Sequence, residues 1–261
     1  MNTSKEKVFR IPPQSYWIDS ISQPDYPTLE YDIHADIAII GGGMAGICTA
    51  YLLSRHGIKS VILEADRILK CTTGHTTAKI TSQHGLIYSK IKNQISGEIA
   101  SQYSQANETA IDMIKTIAAE NDIECDFAYE SAYVYTHSDE YVAQIEQEAE
   151  AAGSLGIKAA YLEDIPLGFP IKAAVRFDNQ ARFHPGKFLL PLAEIIVKSG
   201  SSIFEQSRIV RIEENEKYTI ISNNGKKVTA EKIIIASHYP CINKPGFYFG
   251  RIYADRSYVV A

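Results

Sequence analysis

Between Asp36 and Asp66 the chain reads DIAIIGGGMAGICTAYLLSRHGIKSVILEAD, and no other segment restricts the fold as tightly. The apolar run Ile37 to Ile40 predicts a buried parallel strand. Gly41, Gly43 and Gly46 follow it in G-x-G-x-x-G spacing. Gly41 allows a tight strand-to-helix turn, Gly43 lets a pyrophosphate approach the backbone, and Gly46 lets helix and strand pack closely. The following helix would aim its free N–H groups and positive dipole end at that pyrophosphate. Ala50 places a small residue on the sheet-facing side, Gly57 ends the helix, and Val61 to Leu63 form a second strand. Glu64 stands at the carboxyl end of that strand, where an acidic side chain accepts a hydrogen bond from an adenosine ribose 2′-OH. A 2′-phosphate would meet a like charge there, so NADP is disfavoured. The Walker sequence of a mononucleotide P-loop is absent.

The rest of the composition excludes more than it suggests. With 261 residues, 45% hydrophobic and 22% charged, the chain can bury a large core. A net charge of −5 gives no reason to expect nucleic acid or an anionic membrane as partner. Cys48, Cys71, Cys125 and Cys241 form no C-x-x-C pair and read as reduced thiols, not as a disulfide frame or metal site. The opening MNTSKEKVFRIPPQSYW lacks an apolar signal-peptide core, and no apolar run approaches the length of a membrane span. A soluble cytoplasmic protein is expected.

Along the chain, residues 1–31 read as an extended arm broken by Pro12, Pro13, Pro24 and Pro27 and anchored by Trp17. Ile95, Ile99, Tyr103, Ala106, Ala110, Ile114 and Ile117 recur at helical spacing and predict a long amphipathic helix from Ile91, broken near Gly97. ESAYVYT alternates as a strand, and Ser138 caps a helix running to Glu150 with an acidic, solvated outer face. KAAYLE and AAVRFDNQAR are short strands. HPGKFLLPLAEIIVKSG is a helix opened by Pro185 and closed by Gly200. Three strands follow, in SRIVRIEE, in KYTIISNNGKKV with its Asn-Gly turn, and in EKIIIASHYP, where Ile233 to Ala236 read as buried. The last residues, FYFGRIYADRSYVVA, read as a strand that stops short, which suggests a fragment. The expected class is α/β, a Rossmann-like βαβ sheet with an inserted, more antiparallel α+β substrate layer, truncated. The expected divisions are an arm (1–31), a discontinuous nucleotide-binding domain (32–125 and 183–240) and a partial substrate domain (126–182 and 241–261).

In the order SYWIDS, IAIIGGGMAGICTAYLL, VILEAD, TTGHTTAKIT, ARFHPGKFLLPLA and IIIASHYP, the chain resembles the D-amino-acid oxidase-like FAD-dependent oxidoreductases. That family includes glycine oxidase, sarcosine oxidase and the glutamylputrescine oxidases. The arm and TTGHTTAKITSQHGLIY are most similar to a bacterial subgroup in which a Rieske [2Fe–2S] domain follows the flavoprotein half. The resemblance implies FAD rather than NAD, and contacts to it from Met44, Ala45, Ala65, Ala236 and Ser237 besides the glycines and Glu64. It further implies hydride transfer to flavin N5 from the carbon next to an amine nitrogen of a small amine or amino acid. The family's later substrate-domain strands and a Rieske domain's Cys-x-His ligands are not found in this sequence.

Thr72, Thr73, Thr76 and Thr77 are candidate flavin neighbours, with an ordinary Thr-rich loop as the alternative. His75 resembles, in its TTGHTT context, the histidine that bonds covalently to flavin in the sarcosine and dimethylglycine dehydrogenase branch. A histidine that merely packs against or hydrogen-bonds the cofactor is the preferred reading. Val210 matches a family position whose backbone meets adenine, with a plain core valine as the alternative. His184 and His238 read as structural or cofactor-side groups and Cys71 as a bystander thiol. No catalytic acid or base is assigned. Two other functions stay open, an FAD-dependent dehydrogenase of a 2-hydroxy acid or polyol phosphate and a non-catalytic FAD-holding module. Oxygen, a [2Fe–2S] centre in a further C-terminal domain, and a membrane carrier all remain as electron acceptors, and a homo-oligomer is compatible with the sequence.

Overall fold

The structure, a computed structural model, describes residues 14–166, 168–241, 246–253 and 255. In chain order the first elements are α1 (Tyr16–Asp19), β1 (Ile33–Ile40), α2 (Met44–Arg55), β2 (Ser60–Leu63) and β3 (Lys79–Ile80). Next come α3 (Tyr88–Gln94), α4 (Gly97–Glu120), β4 (Ala128–Thr136), α5 (Val142–Ser154), β5 (Ala159–Leu162) and β6 (Ala173–Arg182). The chain continues with α6 (Pro185–Lys198), β7 (Ser202–Phe204), β8 (Ile209–Glu214), β9 (Tyr218–Ser222) and β10 (Lys227–Ile235).

Two compact units result. One holds the described residues up to Thr76 together with those from Pro185 on, and the other is Thr77–His184, an insertion between β2 and α6. The expected boundaries differ from this in two respects, one being that the described residues from Cys241 on, expected in the substrate domain, group with the first unit. In the other, residues 77–125 were assigned to the nucleotide-binding domain, but α3 and α4 belong to the inserted unit. Aromatic packing explains it: Tyr88 of α3 is fully buried among Ile145, Ala149 and Phe177, with Tyr103 of α4 packed alongside.

The first unit is built on a sheet of order β7-β2-β1-β10-β9-β8. β7, β2, β1 and β10 run parallel, and the β9–β10 and β8–β9 pairs are antiparallel. Strand alternation sends Ala38 and Ile40 to one face, where they pack with Leu29 of the arm, Val61, Leu63 and Val228. Ile39 points the other way, beneath Gly46 at the start of α2. Ile47, Ala50 and Tyr51 bury one side of α2, and Phe188, Leu189, Leu192, Ala193 and Ile196 bury the matching stripe of α6. Gly57 at φ +70 and Gly200 at φ +90 take the left-handed conformation that ends these helices. The arm is pinned across the sheet. Ser207 Oγ accepts from Leu29 N–H at 2.9 Å, and Asn224 Nδ2 donates to Leu29 carbonyl oxygen at 2.8 Å. Asp32 accepts from Lys227 N–H at 2.9 Å.

The inserted unit is antiparallel. β6 pairs with β3, β4 and β5, and α5 packs on β5 and β6. The chain breaks between α3 and α4 as expected, and Ser96 Oγ caps α4 by accepting from Ile99 N–H.

Several expectations need correction. The buried stripe of α4 is Ala100, Ser104, Ile111, Ile117 and Ala118, while Ile95 and Ile99 face solvent. The choice turns on where neighbouring elements such as α3 lie, which periodicity does not reveal. On α5 the acidic run is not uniformly solvated: Glu148 is buried and accepts from Tyr88 N–H and Ser89 N–H at 2.8 Å each, capping α3. β7 was not foreseen because three residues are too few to show alternation. The end of β10 is half-buried, with Ile235 40% exposed. The FYFGRIYADRSYVVA strand is not seen where described, since Tyr248–Gly250 form a 3-10 turn. Ala254 and residues 256–261, like Pro12 and Pro13 of the arm, lie outside the described residues.

Candidate functional site

From β1 the chain steps outward to β2 on one side, while β10 joins β1 on the other. The strand order therefore reverses between β1 and β10, and a ligand crevice is expected at the carboxyl ends of these strands. A cleft of about 810 Å³ lies there, lined by the β1–α2 turn, the ends of β2 and β10, and residues from Cys71 to Thr73 and Arg208 to Ile209.

Close contact explains the glycines. A Cβ on Gly41, which has φ +114, would lie 2.8 Å from Ala236 carbonyl oxygen, where β10 crosses beside the turn. A Cβ on Gly46 would lie 1.9 Å from Gly41 carbonyl oxygen, an overlap no side chain survives. At Gly43 the nearest atom is Thr73 Oγ1 at 3.2 Å, so the side toward the cleft is open. Gly42, which the spacing leaves unassigned, is also tight: a Cβ would meet Ile68 Cγ2 at 2.6 Å. The turn is tied by Gly41 N–H to Leu63 carbonyl oxygen, by Ala236 N–H to Ile40 carbonyl oxygen, and by Leu69 N–H to Gly42 carbonyl oxygen. Gly43 is the N-cap of α2 and has no side-chain acceptor. Met44 N–H donates to Thr73 Oγ1 at 3.0 Å, and α2 presents its positive end to the cleft.

Glu64 faces the turn from the end of β2. Its carboxylate accepts from Gly42 N–H at 2.7 Å and from Asp66 N–H at 2.9 Å. A carboxylate offers about four lone-pair positions, so acceptor capacity remains for a ligand hydroxyl.

Of the expected contacts, Gly41, Gly43, Met44, Ala45, Glu64, Ala65, Thr72, Thr73, Ala236 and Ser237 all line this one cleft. Gly46 packs beneath it. His75, Thr76, Thr77 and Val210 are not among its lining residues. His75 is exposed and its Nδ1 lies 2.9 Å from Cys71 carbonyl oxygen. A carbonyl can only accept, so Nδ1 carries a hydrogen in this contact. Thr76 carbonyl oxygen accepts from Trp17 Nε1. Thr77 belongs to the inserted unit. Val210 is exposed and falls at a register shift, with no partner residue on β9.

Sequence reasoning missed Arg208 and the run Tyr239 to Cys241, which line the cleft together with His238, read in advance as a structural or cofactor-side group. Arg208 follows β7, and its position becomes visible only once β7 is placed beside β2. His238 is exposed, not the end of a buried strand. Cys71 and Cys241 are exposed thiols on the cleft wall. Cys48, on α2, is a different kind of thiol: burial pushes its pKa up to about 11. No group of three or more metal-ligating side chains occurs among the described residues, and no described helix is long and apolar enough to cross a membrane.

A parallel βαβ core, a glycine turn at the switch point and a carboxylate facing it define a dinucleotide-binding α/β fold. Residues 36–260 match the FAD dependent oxidoreductase (DAO) family, and the chain belongs to that family. It is 39% identical over 249 residues to the "Putative Rieske 2Fe-2S iron-sulfur protein YhfW" of Bacillus subtilis, covering 95% of this chain and 49% of that protein. It is 23% identical to the gamma-glutamylputrescine oxidoreductase of Escherichia coli, covering 86% of this chain and 54% of that one. Glycine oxidase from Geobacillus kaustophilus shares the fold, with a TM-score of 0.66 at 15% identity over 83% of this chain and 58% of the other. The chain thus spans about half the length of the curated relatives it matches.

Proposed function

We propose that this chain holds the adenosine and pyrophosphate of FAD for the oxidation of a C–N bond in a small amine or amino acid. The observation that carries the cofactor assignment is the open space at Gly43, at the N-terminus of α2 and beside the Glu64 carboxylate, in a turn whose close packing requires glycine at Gly41 and Gly46. Met44 and Ala45 would hold the pyrophosphate through the first turn of α2, Glu64 the ribose, and Arg208 would supply a cation at the anionic ligand. When bound, FAD supplies a hydride acceptor, and the protein's part is to bind and orient it and to exclude water. The names of the glutamylputrescine oxidoreductase and glycine oxidase relatives support an amine or amino-acid substrate. The name of the 39% identical relative supports electron transfer to a [2Fe–2S] centre supplied from outside these residues.

The test is anaerobic mixing of the FAD-loaded protein, expressed from its full reading frame, with panels of amines, 2-hydroxy acids and polyol phosphates. Bleaching of flavin absorbance by amines or amino acids is expected. Bleaching only by a hydroxy acid or polyol phosphate would replace the C–N reading with a C–O one, and bound FAD that none of them bleaches would leave an FAD-holding module.

A further inference from the structure

The turn that carries Cys71, Thr72 and Thr73 into the cleft has the N-terminal arm packed against its other side. Trp17 Nε1–H donates to Thr76 carbonyl oxygen at 2.7 Å. Ile18 lies directly against Gly74: a Cβ there would stand 2.8 Å from Ile18 Cδ1 and 2.6 Å from Leu69 carbonyl oxygen. About 10 Å³ of free space remains between Trp17, Ile18, Gln23, Leu69 and Gly74. Farther along the arm, Gln23 Nε2 donates to Ile68 carbonyl oxygen at 2.6 Å, and Arg67 Nη2 donates to Pro24 carbonyl oxygen at 2.9 Å and pairs with Asp25 at 2.6 Å. The buried Glu205 carboxylate accepts from both Ile68 N–H at 2.9 Å and Tyr26 N–H at 3.3 Å, joining loop and arm.

Residues 67–76 belong to no strand and need these contacts. Leu69 sits at φ +63, a conformation that non-glycine residues rarely adopt, and the loop's only short regular piece is the 3-10 turn Thr72–His75. On the cleft side the same loop holds the α2 N-terminus through Thr73 and the glycine turn through Leu69. The loop is therefore clamped between the arm and the cofactor-facing turn.

We infer that Trp17 and Ile18 are positioning residues for the cofactor: docking of the arm orders the loop that forms one wall of the FAD cleft, and FAD in turn stabilises the docked arm. The inference rests on the FAD reading above. Coupling of this kind is reciprocal, because each event lowers the ordering cost of the other by the same factor.

Trp17 is the chain's single tryptophan, so its emission reports the arm alone. FAD would be titrated into the apoprotein while flavin and Trp17 fluorescence are followed, with amide hydrogen exchange before and after saturation. Trp17→Phe keeps an aromatic ring but loses the donor, and should weaken FAD about fivefold, as loss of one net hydrogen bond would. Ile18→Ala should weaken it by on the order of tenfold through lost packing against Gly74. Asp19→Asn, an exposed change on the same helix, should leave the affinity unchanged. FAD should slow exchange at the amides of residues 17–26 and change Trp17 emission in the wild-type chain. A purely structural role would lower the apoprotein's melting temperature but leave the FAD affinity of the folded variants at the wild-type value. That result, or exchange in residues 17–26 indifferent to FAD, overturns the inference. Should a variant fail to fold, the wild-type exchange measurement decides. Wild-type protein that binds no FAD would remove the cofactor reading and this inference together, whereas equal binding by wild type and variants removes this inference alone.

Discussion

Gly43 and Gly46 occupy one turn yet fail differently when substituted. Gly46→Ala puts a methyl group 1.9 Å from Gly41 carbonyl oxygen, so α2 cannot seat on β1, and the expected result is a large loss of soluble, folded protein. In Gly43→Val the added Cβ meets only Thr73 Oγ1, and the side chain fills space on the cleft side. That variant should fold, with a circular dichroism spectrum like wild type, and purify colourless without FAD. Recovering it yellow would refute the pyrophosphate assignment. Glu64→Arg loses two backbone hydrogen bonds and places a cation at the ribose position, and flavin titration should show weaker FAD binding by about tenfold or more. The four thiols give a further test. Cys71 and Cys241 should react quickly with a maleimide and be protected by FAD, since both line the cleft. Cys48, its pKa raised to about 11 by burial, and Cys125, buried, should react slowly with or without FAD. Mass spectrometry of the labelled peptides distinguishes the four.

At the scale of elements, α3 of the inserted unit has a pH dependence that can be worked out. The Tyr88 phenol donates to Ser82 carbonyl oxygen at 2.7 Å, and burial raises its pKa above the ordinary 10.0. The folded state therefore retains that proton where the unfolded chain has lost it. The stability involved is fully present below pH 10 and is lost as pH climbs from there toward the folded-state value. Melting temperatures should fall above pH 10, and Tyr88→Phe should flatten that fall while costing about 1 kcal/mol at neutral pH through the lost hydrogen bond. An unchanged alkaline slope in Tyr88→Phe would contradict this. The 3-10 turn Thr72–His75 makes a separate prediction. With His75 Nδ1–H held by Cys71 carbonyl oxygen and the ring outside the cleft lining, flavin should be released on acid precipitation of the holoprotein. Absorbance retained in the pellet, and lost in His75→Ala, would establish a covalent bond instead.

For the whole molecule, the chain corresponds to about half the length of its curated relatives, and apolar side chains around β10 and beyond it are open to solvent. Ile235 is 40% exposed, Phe247 64% and Tyr253 90%. Such surface usually has a partner. The 261 residues alone, about half the length of the matched relatives, are predicted to bind FAD yet show no amine-dependent flavin reduction, because an Ångström-scale misplacement of substrate already costs about a hundredfold in rate. Stopped-flow absorbance under anaerobic conditions tests this. Rapid bleaching by a primary or secondary amine would show the chain to be catalytically sufficient.

Local order carried most of what could be read in advance. The βαβ unit from Ile33 to Leu63, the glycines and Glu64 are determined by the sequence itself. Their periodicities, turn residues and phosphate-turn spacing all act within about thirty residues, where backbone sterics and nearest-neighbour packing decide the conformation. The break before Gly97, the Asn-Gly hairpin and the Pro185 helix start were legible for the same reason. What the tertiary structure decided involves residues far apart in sequence. Arg208 reaches the cleft only because β7, three residues long, pairs with β2 across 140 positions of intervening chain. The buried side of α4 and the burial of Glu148 depend on which helix lies opposite. The assignment of α3 and α4 to the inserted unit depends on where Tyr88 finds Phe177. Side-chain pattern states that a face is apolar or a loop polar. Only the long-range pairing of strands and the packing of helices on them determines what that face or loop meets.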